Sequence, residues 1–464
     1  MQQDYLDNPI SGAAEASRAA IDDFVGGLLA YETRAERVLG AADQNPDCCL
    51  VNVYAGFLWM LLEAPEAAQR AAKYLSAAER ASCNATVRER LNLALLRAWV
   101  DDDLATALGI ADRISDDFPH DLAVVKLHQY LEFNRGNAPE MLRIALKVME
   151  RNSHVAHMHG MAAFAYEQCH LLDEAEAAAE AALVLLPKEP WAQHALAHVD
   201  LTRGAVEEGI ASLESFEATW TGLNSFMSTH LWWHLAIFYL AQGRDARVLD
   251  LYDHHCWGVV KSYSQDQIGA VSLLARLELA GIDVGERWRE LGGYLAARAA
   301  DTVQPFLTLQ YLYGLARAGR SEAGVLLEAV RRRSSDAPSY SRAVWQEVAL
   351  PECEGLNAHA RGDYETTWRA LGAAVPRLAE IGGSHAQRGL FEQILLDAAL
   401  KSGRLIAAQR ALEQQRSVYH DDVPVNSALA EVYAKMGLPG LAAEARARAG
   451  AARARHADPA RNPG

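Results

Sequence analysis

The sequence predicts an all-α protein built from helical hairpins, and three observations point to this fold class. Alanine, leucine, glutamate and arginine, which favour helices, dominate the chain of 464 residues. Alternating runs of β-branched residues, which would indicate strands, are missing. Small residues, glycines and prolines recur at intervals of about 34 residues, the length of one helix–turn–helix repeat. We therefore expect a stack of antiparallel helix pairs.

The repeat is clearest in the segment that ends at Pro187. There Tyr166, Ala175, Ala182 and Pro187 fall on the tyrosine, first small, second small and proline positions of a tetratricopeptide repeat. When the 34-residue pattern is moved up or down the chain by whole repeats, further residues fall on its turn, small and proline positions. These residues are Gly204, Gly209, Gly136, Ala107 and Pro119. Four consecutive units in step indicate a true repeat.

The repeat continues toward the C-terminus with a shifted phase. Its aromatic, turn and small positions there are Tyr239, Gly243, Gly319, Gly362, Tyr364, Gly403, Ala408, Tyr433, Gly437 and Ala442. Glycine ends the first helix of a hairpin, and small residues let the two helices approach closely. Because each hairpin buries its apolar face only against its neighbours, we expect one right-handed superhelical domain over residues 1–445. Residues 446–464 are expected to form a frayed or disordered tail.

Charge and composition exclude several classes of partner. The net charge of −16 argues against a broad surface for nucleic acid or anionic lipid. No apolar run approaches the roughly 20 residues that a membrane-spanning helix needs. The six cysteines are scattered without a CxxC pair, which is typical of a reducing compartment. We expect a cytoplasmic protein without nucleic-acid or membrane partners; the oligomeric state is undefined and a dimer is allowed.

Histidines are concentrated in one part of the chain, since ten of the 16 fall between His154 and His255. Two pairs, His194 with His198 and His230 with His234, have i, i+4 spacing, which stacks both imidazoles on one helix face. Three interpretations remain open: ordinary hydrogen-bonded histidines, a pocket for acid/base chemistry or a polar ligand, and a metal site.

The metal interpretation is the weakest of the three. The first histidine of each pair is followed by Ala195 or Leu231 and not by the glutamate of a zincin motif. We therefore assign no metal and no cofactor. His157 and Trp233 join the pocket as candidate ligand-binding residues, the first from the inner face of an upstream helix and the second from beside the second pair.

A second constellation spans residues 381–388. Gly382 and Gly383 break the preceding helix, and Ser384 with Gln387 forms the S-x-x-Q pattern of a capping box that opens a helix running to about Lys401. A helix N-terminus offers free N–H donors. The candidate ligand-binding residues of this helix start are Ser384, His385, Gln387 and Arg388, of which Arg388 could hold a carboxylate or phosphate. The alternative is a well-capped helix with Arg388 paired to an acidic neighbour.

Five motifs in this order resemble the tetratricopeptide-repeat protein thirty-eight family. They are Pro190-Trp-Ala-Gln-His-Ala-Leu-Ala-His-Val199, Thr229-His-Leu-Trp-Trp-His-Leu-Ala236, Gly285-Glu-Arg-Trp288, Leu350-Pro-Glu-Cys353 and Gly382-Gly-Ser-His-Ala-Gln-Arg388. The resemblance covers residues 8 to about 416 and implies a closed helical-repeat superhelix. It implies no defined activity.

The resemblance also places individual residues. The histidines of the family's motifs correspond to both histidine pairs of this chain, and Gln387 and Arg388 also match the family. Asp266 falls on an acidic position of the family. The chain departs from the family at two places, with Thr308 and Gln310 in place of an Asp-x-His pair and Gln129 in place of a histidine. We assign Gln310 to ligand binding; these departures fit either an altered or a lost activity.

Two hypotheses follow for function. The first is a pocket for a small anionic molecule, in which the two histidine pairs act in acid/base or orienting roles, Asp266 fixes a histidine tautomer and Arg388 receives the anion. If the protein is an enzyme, such as one from a biosynthetic pathway, we expect histidine acid/base chemistry on a small anionic substrate. The alternative is a non-enzymatic scaffold that binds a partner protein or peptide in its concave groove.

Overall fold

The computed structural model describes residues 2–11 and 14–456 of the chain. These residues form an all-α array of helical hairpins, which confirms the predicted fold class. Sheet is limited in the described ranges to an isolated bridge and the antiparallel pair β1 (Gln2–Gln3) and β2 (Pro9–Ile10), which the sequence analysis did not predict. No helix in the described part of the chain is both long and apolar enough to cross a membrane.

Contacts divide the chain into two compact units, and each is described separately. The first unit comprises Met1–Leu196 and Ala218–Met227, and the second comprises Ala197–Glu217 and Ser228–Gly464. The helices wholly within the first unit are α1 (Glu15–Ala30), α2 (Arg37–Gln44), α3 (Cys49–Met60), α4 (Ala67–Arg80), α5 (Val87–Val100), α6 (Leu104–Asp117), α7 (Leu122–Phe133), α8 (Ala138–Met149), α9 (Ala156–Gln168) and α10 (Leu172–Leu185).

The next three helices are α11 (Pro190–Arg203), α12 (Val206–Phe216) and α13 (Ser225–Ala241). Of these, α11 and α13 carry residues of both units. The second unit continues with α14 (Asp245–Leu251), α15 (Ser264–Leu279), α16 (Arg287–Leu295), α17 (Pro305–Arg317), α18 (Glu322–Asp336), α19 (Ser339–Val344), α20 (Leu350–Ala360), α21 (Tyr364–Ala374), α22 (His385–Lys401), α23 (Leu405–Arg416), α24 (Val423–Lys435) and α25 (Pro439–His456).

Short irregular helical segments link several of these helices. The 3-10 segments are Thr33–Glu36, Ser82–Asn84, Glu150–Asn152, Glu217–Thr219, Ala296–Arg298 and Val375–Ile381, and the π-helical segments are Tyr252–Cys256 and Trp345–Ala349. The predicted boundary at residue 445 falls inside α25, which continues to His456, so the expected tail is helical over its first part. The rest of that tail, residues 457–464, lies outside the described residues, and the single domain over 1–445 stays a prediction.

The predicted repeat features are present in the helix pairs. The glycines expected to turn between helices all have positive φ: Gly136, Gly204, Gly243, Gly319, Gly362, Gly403 and Gly437. The predicted small positions Ala175 and Ala182 are fully buried where α9 packs on α10. Gly209 on α12 lies so close to Phe238 on α13 that a Cβ would overlap the phenyl ring. Small side chains therefore set the helix spacing, as the repeat pattern predicts.

A buried ion network anchors the N-terminal segment in the first unit. The Arg88 side chain on α5 is fully buried, and its Nη1 lies 2.9 Å from an oxygen of Asp121. Its Nη2 lies 3.5 Å from Asp4 and donates to the carbonyl oxygen of Pro9 at 3.3 Å. Asp121 also caps α7 by accepting from the Val124 amide. One guanidinium therefore ties the N-terminal segment to two helices.

We predict that Arg88→Met destabilises the protein by about 3–5 kcal/mol, because two buried carboxylates lose their countercharge. The free energy of unfolding in urea measures this effect. The matched control is Arg97→Met, which removes another arginine of α5. Arg97 pairs with Glu79 of α4, but its side chain is 53% exposed, so the change should cost less than about 1 kcal/mol. Equal effects of the two changes would contradict the prediction.

Candidate functional site

Both predicted histidine pairs lie on helices with the expected spacing. His194 and His198 occupy successive turns of α11, and His230 and His234 occupy successive turns of α13. All four are buried, with exposed fractions of 1%, 0%, 8% and 0% in that order. These histidines are therefore not solvated surface residues, and their polar ring atoms are enclosed by protein.

Three of these histidines meet inside the second unit and are joined by His385. The ring centroids of His198 and His234 are 4.6 Å apart, and those of His230 and His234 are 4.8 Å apart. His198 Nδ1 lies 3.5 Å from His385 Nε2. We call His198, His230, His234 and His385 the histidine cluster. The predicted convergence of both pairs is thus seen for these members, and His194 is described below with the first unit.

Burial keeps two imidazoles of the cluster neutral. Desolvation, followed by the nearby His198, lowers the pKa of His230 to about 3. The pKa of His234 is also lowered well below its usual value, first by burial and then by the surrounding histidines and Arg276. A neutral imidazole has one donor nitrogen and one acceptor nitrogen. These side chains therefore present both donors and electron pairs inside the second unit.

Arg276 on α15 is a buried cation beside the cluster. Its Nη2 donates to the carbonyl oxygen of Ala386 at 2.7 Å, while its Nη1 is buried without a hydrogen-bond partner. No carboxylate in the described part of the chain lies within salt-bridge distance of its guanidinium. Burial lowers the pKa of Arg276 to about 10, and the charge of Glu392 only partly offsets this. The group therefore stays charged at neutral pH.

Trp233 fixes the orientation of the second histidine pair. Its indole stacks on His230, with ring centroids 5.3 Å apart and an angle of 9° between the planes. It meets His234 edge-on at 4.9 Å, and the guanidinium of Arg276 lies 5.7 Å from the indole ring. The predicted neighbour of the pair is thus in contact with both histidines and with the buried cation.

The start of α22 confirms the predicted capping box. The Gln387 amide donates to Ser384 Oγ at 3.3 Å, and the Ser384 amide donates to Gln387 Oε1 at 2.9 Å. The helix begins at His385, and Gly382 and Gly383 precede it with φ of 81° and 75°. This turn places the imidazole of His385 against His198.

Arg388 contacts the glycine turn that precedes its own helix. Its Nη1 donates to the carbonyl oxygens of Gly383 and Gly382. These hydrogen bonds hold the guanidinium at the start of α22. The assignment of Arg388 to ligand binding stays a prediction.

Asp266 also binds groups that the sequence analysis did not anticipate. Its carboxylate accepts from the hydroxyl of Thr229 at 3.3 Å and from the amide of Val260 at 3.1 Å. The side chain is buried in the first turn of α15. Through Thr229, which precedes His230, it steadies the helix turn that carries the second pair. Its role in fixing a histidine tautomer stays a prediction.

The positions that the sequence analysis noted as departures from the resemblance are buried as well. Gln129 donates to the carbonyl oxygen of Met141 at 2.8 Å, and the hydroxyl of Thr308 donates to the carbonyl oxygens of Asp301 and Gln304. These two residues therefore satisfy backbone groups of their own hairpins. Gln310 differs, because its Oε1 is buried without a hydrogen-bond partner.

The remaining predicted residues lie in the first unit. His194 stacks on Trp191, with ring centroids 4.4 Å apart, and contacts Phe164 at 5.2 Å. His157 Nδ1 lies 3.0 Å from the buried carboxylate of Glu189. Because Glu189 also accepts from the amide of Ala192 in the first turn of α11, His157 supports the cap of that helix.

Sequence reasoning missed two buried polar residues of the second unit. Arg276 follows Leu273, Leu274 and Ala275, and an arginine inside such an apolar run could have indicated a buried cation. Glu352 on α20 is fully buried, and neither carboxylate oxygen has a hydrogen-bond partner. Burial raises the pKa of Glu352 well above the usual value, which favours the protonated form.

Comparison with known proteins gives only distant similarities. No family model matches the chain. The human IFIT1 dimer with PPP-AAAA shares 13% identity over 94% of this chain and 100% of that chain, with a TM-score of 0.41. The Cut9–Hcn1 complex of the APC/C shares 15% identity over 94% of this chain and 70% of that chain, with a TM-score of 0.36. Similarities of this size carry no argument about ligand or activity.

We predict that Gly383→Ala destabilises the second unit by roughly 1–3 kcal/mol. Its φ of 75° is strained for any residue with a side chain, and a Cβ would lie 2.7 Å from the ring of Phe306. Thermal unfolding measures the loss. The matched control is Gly372→Ala in α21, where a Cβ would meet no atom within 4 Å, so a gain of about 0.5–1 kcal/mol is expected. A neutral Gly383→Ala would contradict the strain argument.

Proposed function

We propose that this helical-repeat protein binds a small anionic molecule at the histidine cluster, with Arg276 as the main contact for the negative charge. One observation carries the proposal: Arg276 is a buried guanidinium without a carboxylate partner, and one of its terminal nitrogens has no acceptor. An unpaired buried charge is costly, and proteins normally pair it or use it. A bound carboxylate or phosphate would supply the missing acceptor and countercharge.

The cluster supplies further contacts for such a ligand. Trp233 contacts both His234, edge-on at 4.9 Å, and the guanidinium of Arg276 at 5.7 Å. Neutral imidazoles can donate one hydrogen bond each to an anion without adding a second buried charge. Arginine is suited to the task because its fork of N–H groups matches the oxygens of carboxylate and phosphate. The enzymatic form of the hypothesis is histidine acid/base chemistry on the bound molecule.

The second candidate function is a scaffold that binds a peptide, and one surface feature favours it. A groove of about 680 Å³ on α23 is lined by Trp368, Arg404, Ile406 and Arg410. Ile406 is 77% exposed, which is unusual for an isoleucine. Apolar and basic side chains together suit an acidic peptide with one apolar residue. Ile406→Asp would remove binding of such a peptide and leave the anion site intact.

We predict that inorganic phosphate or malonate raises the melting temperature of the wild-type protein, because a ligand that binds only the folded state stabilises it. Arg276→Met keeps much of the stem's packing and removes the charge. It should weaken anion binding by at least about tenfold, the smallest effect expected for hydrogen bonds to a charged group. Without anion, its melting temperature should be unchanged or higher, since an isolated buried charge is gone.

The control is Arg317→Met, which removes an arginine of the neighbouring helix α17 that pairs with both carboxylate oxygens of Glu278 at 2.8 and 3.0 Å. This variant should lose stability and keep the anion-induced shift. The proposal falls if Arg276→Met keeps the full shift, or if no anion of either type changes the melting temperature. In that second case, binding of an acidic peptide that depends on Ile406 would support the scaffold function.

A further inference from the structure

Three imidazoles of the histidine cluster lie close enough to share one metal ion. Each of His198, His230 and His234 offers a ring nitrogen, and these three atoms lie within 4.8 Å of one another. In a tetrahedral zinc site with bonds of about 2.0–2.1 Å, ligand nitrogens are roughly 3.3 Å apart. Side-chain rotations that move each nitrogen by about an ångström would therefore close the set.

The helices hold this set in place before any ion binds. His230 and His234 project from successive turns of α13, and His198 comes from α11. Trp233 stacks on His230 and contacts His234 edge-on, which restricts both rings. The three ring nitrogens are therefore preorganised for a shared ion.

We propose that His198, His230 and His234 form a site for a divalent transition metal of the zinc type. Three imidazoles without a carboxylate favour zinc, copper, nickel or cobalt over magnesium or calcium. The inference departs from the sequence analysis, which found no zincin pattern and assigned no metal.

We expect binding of the metal to be coupled to binding of the proposed anion. A divalent cation near the unpaired guanidinium of Arg276 would be repelled, and an anion bound between the two positive charges would relieve that repulsion. Metal and anion should therefore strengthen each other's binding, as linkage requires. Only this coupling rests on the proposed function; the metal site itself rests on the three imidazoles.

A second group in the first unit lacks this combination. His128, Glu132 and Glu140 also offer ligand atoms within 4.8 Å of one another. However, Glu132 is bonded to Arg135 and Asn137, and Glu140 is bonded to Arg143. A metal there would have to displace two established ion pairs. His128 therefore provides a matched control, as a buried helical histidine inside a group with metal-ligand spacing.

The test is titration of the full-length protein with Co²⁺ and Zn²⁺ after dialysis against a chelator. We expect one Co²⁺ per chain with the intense visible bands of tetrahedral cobalt, and displacement of Co²⁺ by Zn²⁺. His234→Asn should weaken metal binding by roughly 100-fold or more, since even outer-shell changes cost 10–100-fold. His128→Asn should bind as the wild type does. X-ray absorption of the wild-type Co²⁺ complex should report imidazole ligands, even where a variant fails to fold.

The outcomes separate the two proposals. Absence of stoichiometric Co²⁺ binding, or binding that His234→Asn leaves unchanged in a folded protein, would overturn the metal site. An anion-induced thermal shift that depends on Arg276 would still support the proposed function in that case. Conversely, Co²⁺ binding with bands that phosphate does not alter would support the metal site and remove its coupling to the anion.

Discussion

Close packing of antiparallel helices is the constraint on which the rest of the structure depends. In the second unit α15 contacts α16, α17 and α22, so several of its faces are covered by protein. A polar side chain on such a helix is buried by this packing, even though exposure to water would solvate it better. Ser272 and Arg276 are both buried on α15 for this reason. The same packing that builds the core therefore creates polar groups that need partners inside it.

The electrostatic state of the second unit follows from this enclosure. The imidazoles of His230 and His234 remain neutral, because desolvation penalises the imidazolium form and lowers the pKa of both groups. Neutral imidazoles can pack against each other without repulsion, which permits the close approach of His230 and His234. Their remaining property is the capacity to donate a proton in a hydrogen bond or to give an electron pair. Both proposals draw on that capacity, one toward an anion and the other toward a metal.

Features with local causes could be predicted from the sequence. The turn at Gly204 follows from the repeat period, because only a residue without a Cβ takes positive φ at no cost. The capping box of Ser384 and Gln387 depends on residues three apart, and its two hydrogen bonds are present. The i, i+4 spacing places His230 and His234 on one helix face by geometry alone. Such features require no knowledge of which helices become neighbours.

Features that depend on neighbouring helices could not be predicted in the same way. The long side chain of Arg388 turns back to the carbonyl oxygens of the glycine turn that precedes its own helix, a contact that the sequence analysis did not predict. Arg276 reaches Ala386, which lies far away in sequence on α22. The N-terminal strand pair depends on the buried Arg88 network. In each case the packing of the helices determines the partner, and the neighbouring residues in the sequence do not indicate it.

Two buried charged residues of the second unit show why Arg276 calls for an external partner. Glu352 has no hydrogen-bond partner for either oxygen, but a carboxyl group can take up a proton, and burial raises its pKa accordingly. Arg276 has no such remedy, because a guanidinium stays protonated in proteins; its pKa falls only to about 10. The large apolar core of the fold can offset the resulting destabilisation. Arg276 is thus a buried cation that does not lose its proton at neutral pH and that no carboxylate pairs, and this is the reason why we propose an anion from outside the chain.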